Sequence, residues 1–228
     1  MTRRVAPALA ALVLACGGGG GLKPGDPAQL LTQAGSAILS VHTLAADLKF
    51  SQGAVMFQGF ALSSAEARVS LPSDSDATYK VRQGDLLVAI GVILVGGRTF
   101  LRPPFGVYGE LTPAQAKDIP DLARLFDPQR ALPAVVPAGR DPRYLGADRI
   151  DGVDCHRLEA VYSAVQVHQL LDQLNSAGDV TATIWVGGSD HLIRKARLAG
   201  PFGDAGKAAT VEVHLHDFNQ PVSIAPPA

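Results

Sequence analysis

The chain has 228 residues, a formal net charge of −1 and 18% charged residues, a balance that excludes a nucleic-acid binder or a protein held on an anionic bilayer by its own field. With only 2 cysteines there is no disulfide framework, so the fold has to stand on packing. Hydrophobic residues reach 47%, enough for one domain with a substantial core, and no second domain is required.

At the N-terminus, Arg3 and Arg4 precede an apolar run from Val5 to Leu14, then the small Ala15 and Cys16. This reads as a secretory signal, too short to span a bilayer as a helix. A cysteine directly after the small residue is the bacterial lipobox pattern, in which the thiol takes a diacylglyceryl group. Residues 1–15 are therefore the expected signal peptide and Cys16 the expected lipidation site, with the membrane as partner through it. The product would be exported and lipid-anchored to the bacterial cell membrane or envelope. Residues 16–25, rich in glycine, would form a flexible tether reaching about 15–20 Å.

The folded domain is expected over residues 26–221, with a flexible tail at 222–228. Asp26 is suited to cap a helix that has Pro27 at its first position and Leu30, Leu31, Ala34, Ala37 and Ile38 on one face. From Val41 the period changes to two, predicting antiparallel strands at 44–50, 55–62, 67–71, 78–83, 86–95 and 99–102. The run 86–95 is too short for a membrane helix and is rich in β-branched residues, which reads as one or two buried strands before a Gly96-Gly97 turn. Prolines punctuate 111–139 into short helices, one opened by Thr112-Pro113 with Gln115 and another by Asp127-Pro128. Strands at 144–150 and 153–161 precede a helix with a Ser163/Gln166 capping box and Val167, Leu170, Leu171 and Leu174 on one face. The last third returns to strands at 180–186, 192–198 and 208–218, the final one with Ala209, Val211, Val213 and Leu215 opposite Thr210, Glu212, His214 and His216.

Catalytic residue types do not converge in this pattern. Cys155 and His156 are neighbours on a strand and point to opposite faces, so they cannot pair directly. His214 and His216 share a face and could grip a metal, but no third ligand lies nearby in sequence, and no metal site is expected. The Ser73-Asp74-Ser75-Asp76 segment lacks the glycine and distal glutamate of a calcium loop and reads as a solvated turn. Gly187-Gly188-Ser189-Asp190 is a hairpin turn, and no phosphate loop, dinucleotide fingerprint or HExxH motif occurs. Neither an enzyme nor a cofactor is expected. Composition alone leaves a packed α+β core and a hollow one equally open.

The order of elements, with Ser40-Val41-His42, Gly96-Gly97-Arg98-Thr99-Phe100, Leu125-Phe126-Asp127-Pro128, Ile150-Asp151-Gly152-Val153, Trp185-Val186 and the ending from Val213 to Val222, resembles the mycobacterial LppX/LprG-type lipoproteins. The resemblance covers nearly all of residues 30–227. It implies an α+β fold: a strongly curved antiparallel β half-barrel, LolA/LppX-like, with helices on its concave side around a hydrophobic cavity. Multi-acylated lipid or glycolipid would be the cargo, carried or presented across the cell envelope, with an envelope transporter as candidate partner. The cavity lining would draw on Leu48, Phe50, Phe57, Val81, Val88, Ile90, Val92, Leu94, Leu122, Phe126, Leu132, Val136, Leu170, Leu174, Ile184, Val211 and Val213. Arg98, Arg102 and Arg143 are the expected headgroup contacts at its mouth. The alternative is an envelope sensing or protein-interaction module on the same half-barrel without cargo, which would show exposed apolar patches on the convex face. An envelope hydrolase stands third and needs a His–Ser or His–Cys contact.

Overall fold

The computed structural model describes residues 21–170 and 174–227. The expected signal peptide, Cys16 and the first part of the tether lie outside these residues, as does Leu171. Leu22, just before the domain, lies where a side chain on Gly188 would sit, 2.5 Å from that glycine's hypothetical Cβ, so the chain enters beside the 187–192 turn.

The Asp26 carboxylate accepts from the Gln29 amide at 2.8 Å, and with Pro27 in the first turn it opens α1 (Pro27–Ile38). The twelve strands are β1 (Thr43–Gln52), β2 (Met56–Phe57), β3 (Phe60–Ser70), β4 (Asp74–Gln83), β5 (Leu86–Val95), β6 (Arg98–Arg102), β7 (Gly109–Glu110), β8 (Arg140–Ile150), β9 (Val153–Tyr162), β10 (Val180–Gly187), β11 (Ile193–Gly200) and β12 (Ala209–His216). All pair antiparallel in one sheet of order β7-β6-β5-β4-β3-β1-β12-β11-β10-β9-β8, with β2 added onto β3. Two meanders therefore meet along β1 and β12, strands from opposite ends of the domain. The chain crosses from one sheet edge to the other once, between β7 and β8.

That crossing makes the roof. It carries α2 (Pro113–Ala116), a 3-10 turn at Leu122–Phe126, α3 (Leu132–Val135) and a second 3-10 turn at Val136–Ala138. Helix α1 lies against α3, 136–138, β8 and β10, while 122–126 rests on β3 and β4. Gly35 makes the α1 contact possible: a Cβ there would fall 2.6 Å from Pro137 Cγ and 2.7 Å from the Pro133 carbonyl. Helix α4 (Ala164–Leu170) follows β9, its first turn held by Gln166 Oε1, which accepts from the Ser163 amide at 2.8 Å and its hydroxyl at 3.0 Å. Among the described residues no helix is long and apolar enough to cross a membrane.

Three local expectations are corrected. The run 55–62 is a hairpin, because Gln58 and Gly59 both take positive φ (51° and 81°) and turn the chain between Phe57 and Phe60. Residues 74–76 are strand, with Ser75 turned inward and 1% exposed, and Asp76 paired to Arg68. The Asp127 carboxylate accepts from the Gln129 amide and closes a turn, leaving α3 to start at Leu132 without a side-chain cap. Of the one or two strands expected over 86–95, the structure has one, paired with β4 along its length.

The convex face is cross-linked by charge, with Arg68–Asp76, Lys80–Glu66 and Arg143–Glu159 at 2.5 Å and Lys195–Glu212 at 2.9 Å, and it also carries Ile93, Phe100 and Trp185. Pairs this exposed contribute little stability. The large exposed apolar side chains include Met56, Leu86 and Leu87, at the hairpin tips on the end of the sheet away from the 187–192 turn.

Candidate functional site

Side chains opposite one another in an antiparallel sheet share a face, so the register traces the apolar surface from strand to strand. One row runs Ile90, Tyr79, Ala65, Leu48, Val213, Ala196, Ile184, Leu158 and Tyr144 across β5, β4, β3, β1, β12, β11, β10, β9 and β8. A second runs Val88, Val81 and Leu62 on one side and Phe50, Val211, Leu198, Ala182 and Ala160 on the other. This is the concave face, and α1 and the roof lie over it.

The row is not evenly covered. At one end Ile90 and Tyr79 are 2% and 5% exposed, and at the other Ile184 and Leu158 are 4% and 0%. Between them Leu48, Val213 and Ala196 are only half-buried, and so are Phe50, Leu198 and Leu215 beside them. Buried side chains accordingly form two clusters, one under α1, α3 and β9–β12 and one on β3–β5 with Ile119. Leu48, Phe50, Val55 and Leu122 border both. The seam over β1 and β12 is the least covered strip of the apolar face.

Of the expected lining, Phe126, Val136, Ile184 and Val211 fall in the first cluster, with Leu132, Leu170 and Leu174 at its margin. Phe57, Val81, Val88, Ile90 and Val92 fall in the second, with Leu94 beside them. Leu48, Phe50, Leu122 and Val213 are the residues at the seam. Sequence reasoning missed Tyr79, whose ring stacks on Phe57 at 4.1 Å. Burial pushes its phenol well above the ordinary tyrosine range, and its hydroxyl has no hydrogen-bond partner among the described residues. Only the β4 register, which puts Tyr79 opposite Ile90 and Ala65, could have pointed to it.

The three arginines stand on the other face. Arg102 pairs with Gly91, which alternates with the inward Ile90 and Val92, and its guanidinium covers Tyr108. Arg98 stacks over Phe100 and donates from Nε to Glu110 at 2.9 Å. Arg143 pairs with Glu159. None stands on the concave face.

Cys155 and His156 do point to opposite faces: Cys155, fully buried, pairs with Gly187, and His156 with Val186. Burial raises the Cys155 thiol, the reverse of what a nucleophile needs. Burial also lowers the His156 imidazole, helped by nearby His191, and His156 Nδ1 has no hydrogen-bond partner among the described residues. For His214 and His216, the third metal donor absent from the local sequence is present in space, because the β1–β12 register sets Asp47 opposite His214.

Two concavities flank this framework. One of about 550 Å³ is bounded by the roof and α4, lined by Lys117, Asp121, Asp127, Arg130, Gln166 and His168 together with Ile119 and Val135 from the two apolar clusters. The other, about 650 Å³ and open, lies on the convex side between the β8–β9 turn and the segment after β12.

Comparison with known proteins agrees with this architecture. Crystal structures of LprF from Mycobacterium bovis and of LppX from Mycobacterium tuberculosis superpose with TM-scores of 0.70 and 0.62, at 21% and 17% identity, over 89% and 88% of this chain and 97% and 100% of theirs. Both share the strongly curved half-barrel. The lipoarabinomannan carrier protein LprG of Mycobacterium tuberculosis is 30% identical over 128 residues, 53% of this chain and 52% of that protein. The chain thus spans about half the length of that relative. The protein of the same name from Mycolicibacterium hassiacum is 27% identical over 191 residues, 83% of this chain and 72% of its own length. The LppX_LprAFG lipoprotein family profile matches residues 26–224, and the chain belongs to that family.

Proposed function

We propose that the protein is a membrane-anchored envelope lipoprotein that reversibly binds a multi-acylated lipid or glycolipid in a groove over β1 and β12 and carries or presents it across the cell envelope. The observation that carries this reading is the apolar row, sealed at both ends and half-open over Leu48 and Val213. An acyl chain laid on that floor replaces water there. Each methylene removed from water stabilises by about 0.8 kcal/mol, so two long chains represent tens of kcal/mol relative to water. Transfer from a bilayer into an equally apolar groove is close to neutral. The groove therefore lowers the barrier to crossing water without trapping the lipid, and direction comes from partners or membrane composition.

The polar concavity bounded by the roof and α4 offers charged side chains to a headgroup. The relatives named as lipoarabinomannan carriers support a cargo of glycolipid class. A carrier rather than an enzyme fits the sealed thiol of Cys155, turned away from His156. An anchor on Cys16 fits the lipoprotein family.

The test is mass spectrometry of organic extracts from non-acylated protein, expressed without its signal in a lipid-containing host. Acylated lipid at close to one molecule per chain is expected. Lipid-free protein whose groove residues are protected from hydrophobic probes would overturn the reading.

A further inference from the structure

We propose that Asp47, His214 and His216 form a binding site for one divalent transition-metal ion, zinc fitting best, on the convex face. The alternation of β12 puts both histidines on that face, and the β1 register brings Asp47 between them. Asp47 Oδ2 lies 3.3 Å from His216 Nε2 and 4.0 Å from His214 Nδ1. One donor atom from each of the three residues falls within 4.8 Å of the others. Tetrahedral zinc with bonds of about 2.0–2.2 Å needs its ligand atoms roughly 3.3–3.6 Å apart, so small rotations of these part-exposed side chains close the site.

The outer partners are already in place. His216 Nδ1 lies 3.0 Å from Asp217 Oδ2, and His214 Nε2 contacts the Asp151 carboxylate. With its distal N–H held by a carboxylate, each ring presents its other nitrogen as a lone pair toward Asp47. This is the carboxylate–histidine–metal arrangement that fixes the tautomer and raises ligand basicity. The rings stack at 5.0 Å and 29°. Three carboxylates around two imidazoles favour a cation, and a set of two nitrogens and one oxygen selects zinc, nickel or copper over calcium and magnesium. Asp47 and both histidines are part-exposed, with the Asp47 side chain 54% exposed, so a water ligand can complete the coordination. The site is independent of the lipid groove, yet it joins β1 and β12, whose opposite faces carry Leu48 and Val213.

The test uses the full-length chain, purified in detergent without a histidine tag and stripped with chelator, then titrated calorimetrically with zinc chloride and spectroscopically with cobalt chloride. One zinc per chain and the intense visible bands of tetrahedral cobalt are expected. His214→Ala and His216→Ala should each weaken zinc binding at least about tenfold, as should Asp47→Asn, which keeps the side-chain shape. Asp217→Asn, acting through His216, should weaken it roughly 10-fold or more, and His42→Ala should leave it unchanged. Circular dichroism checks that each variant is folded. Absence of saturable binding by the unmodified chain, or binding undiminished in Asp47→Asn and in both histidine variants, overturns the site.

Discussion

Replacing Val213 by Phe puts a larger side chain in the middle of the apolar row, between Leu48 on β1 and Ala196 on β11. In a closed core the added volume would force neighbours out of their rotamers and cost about 1–3 kcal/mol. In a groove that is floored but not filled, the ring lies over Ala196 and stability changes by less than about 1 kcal/mol, a shift of at most about 4 °C in Tm for a domain of this size. Leu158→Ala sets the scale. Leu158 is 0% exposed at the covered end, opposite Ile184 and Tyr144. Losing three carbons removes about 2.4 kcal/mol of transfer free energy, and the residual cavity brings the cost to about 3–5 kcal/mol, or roughly 6–20 °C. Both variants are assayed by thermal denaturation and by mass spectrometry of bound lipid. Leu158→Ala should melt early and keep its lipid when folded, whereas Val213→Phe should melt near the parent and carry several-fold less. A Val213→Phe variant that melts as low as Leu158→Ala with undiminished lipid would refute the groove.

Stability should fall in mild acid through His156. Its folded imidazole is held below the ordinary value by burial and by His191, so below about pH 6.5 the unfolded chain takes up a proton that the folded chain resists. The stabilisation is present above that pH and lost as pH falls toward the folded value, at up to about 1.4 kcal/mol per pH unit. Denaturant titrations across pH 5–7 should show a shallower slope in His156→Gln, and an unchanged slope would count against it. Gly35→Ala should cost about 1–3 kcal/mol by urea titration, because the new Cβ meets the Pro133 carbonyl and the Pro137 ring. A neutral result would mean that α1 can slide on α3 freely.

Much of this fold could be read from local pattern. The strand over residues 86–95 and the Asp26 cap were legible because each rests on a few adjacent residues. The hairpin inside 55–62 was not, since Gln58-Gly59 takes the positive-φ turn usually marked by Asn-Gly. Residues 74–76 looked like a turn because serine and aspartate favour one, yet pairing with β3 and β5 extends them. The apolar floor was legible as composition, and most expected lining residues sit in the two clusters. Which of them are half-open was not, because that depends on where the roof lies. The arginines were misplaced for a related reason: facing is set by the register of β6 on β5 and of β8 on β9, which the local sequence of each strand does not contain. Asp47 joins the two histidines only through pairing between the first and last strands.

The contact of Leu22 with the 187–192 turn gives the molecule a polarity. A lipid on Cys16 would hold the domain by that end, while the tips bearing Met56, Leu86 and Leu87 project from the other, a ten-residue strand or about 33 Å farther out. Six residues of tether reach about 20 Å at full stretch, too short to swing those tips back to the anchoring bilayer without laying the whole sheet on its side. An upright molecule would therefore offer its apolar tips to whatever lies beyond its own membrane, and a cargo leaving there would be handed outward.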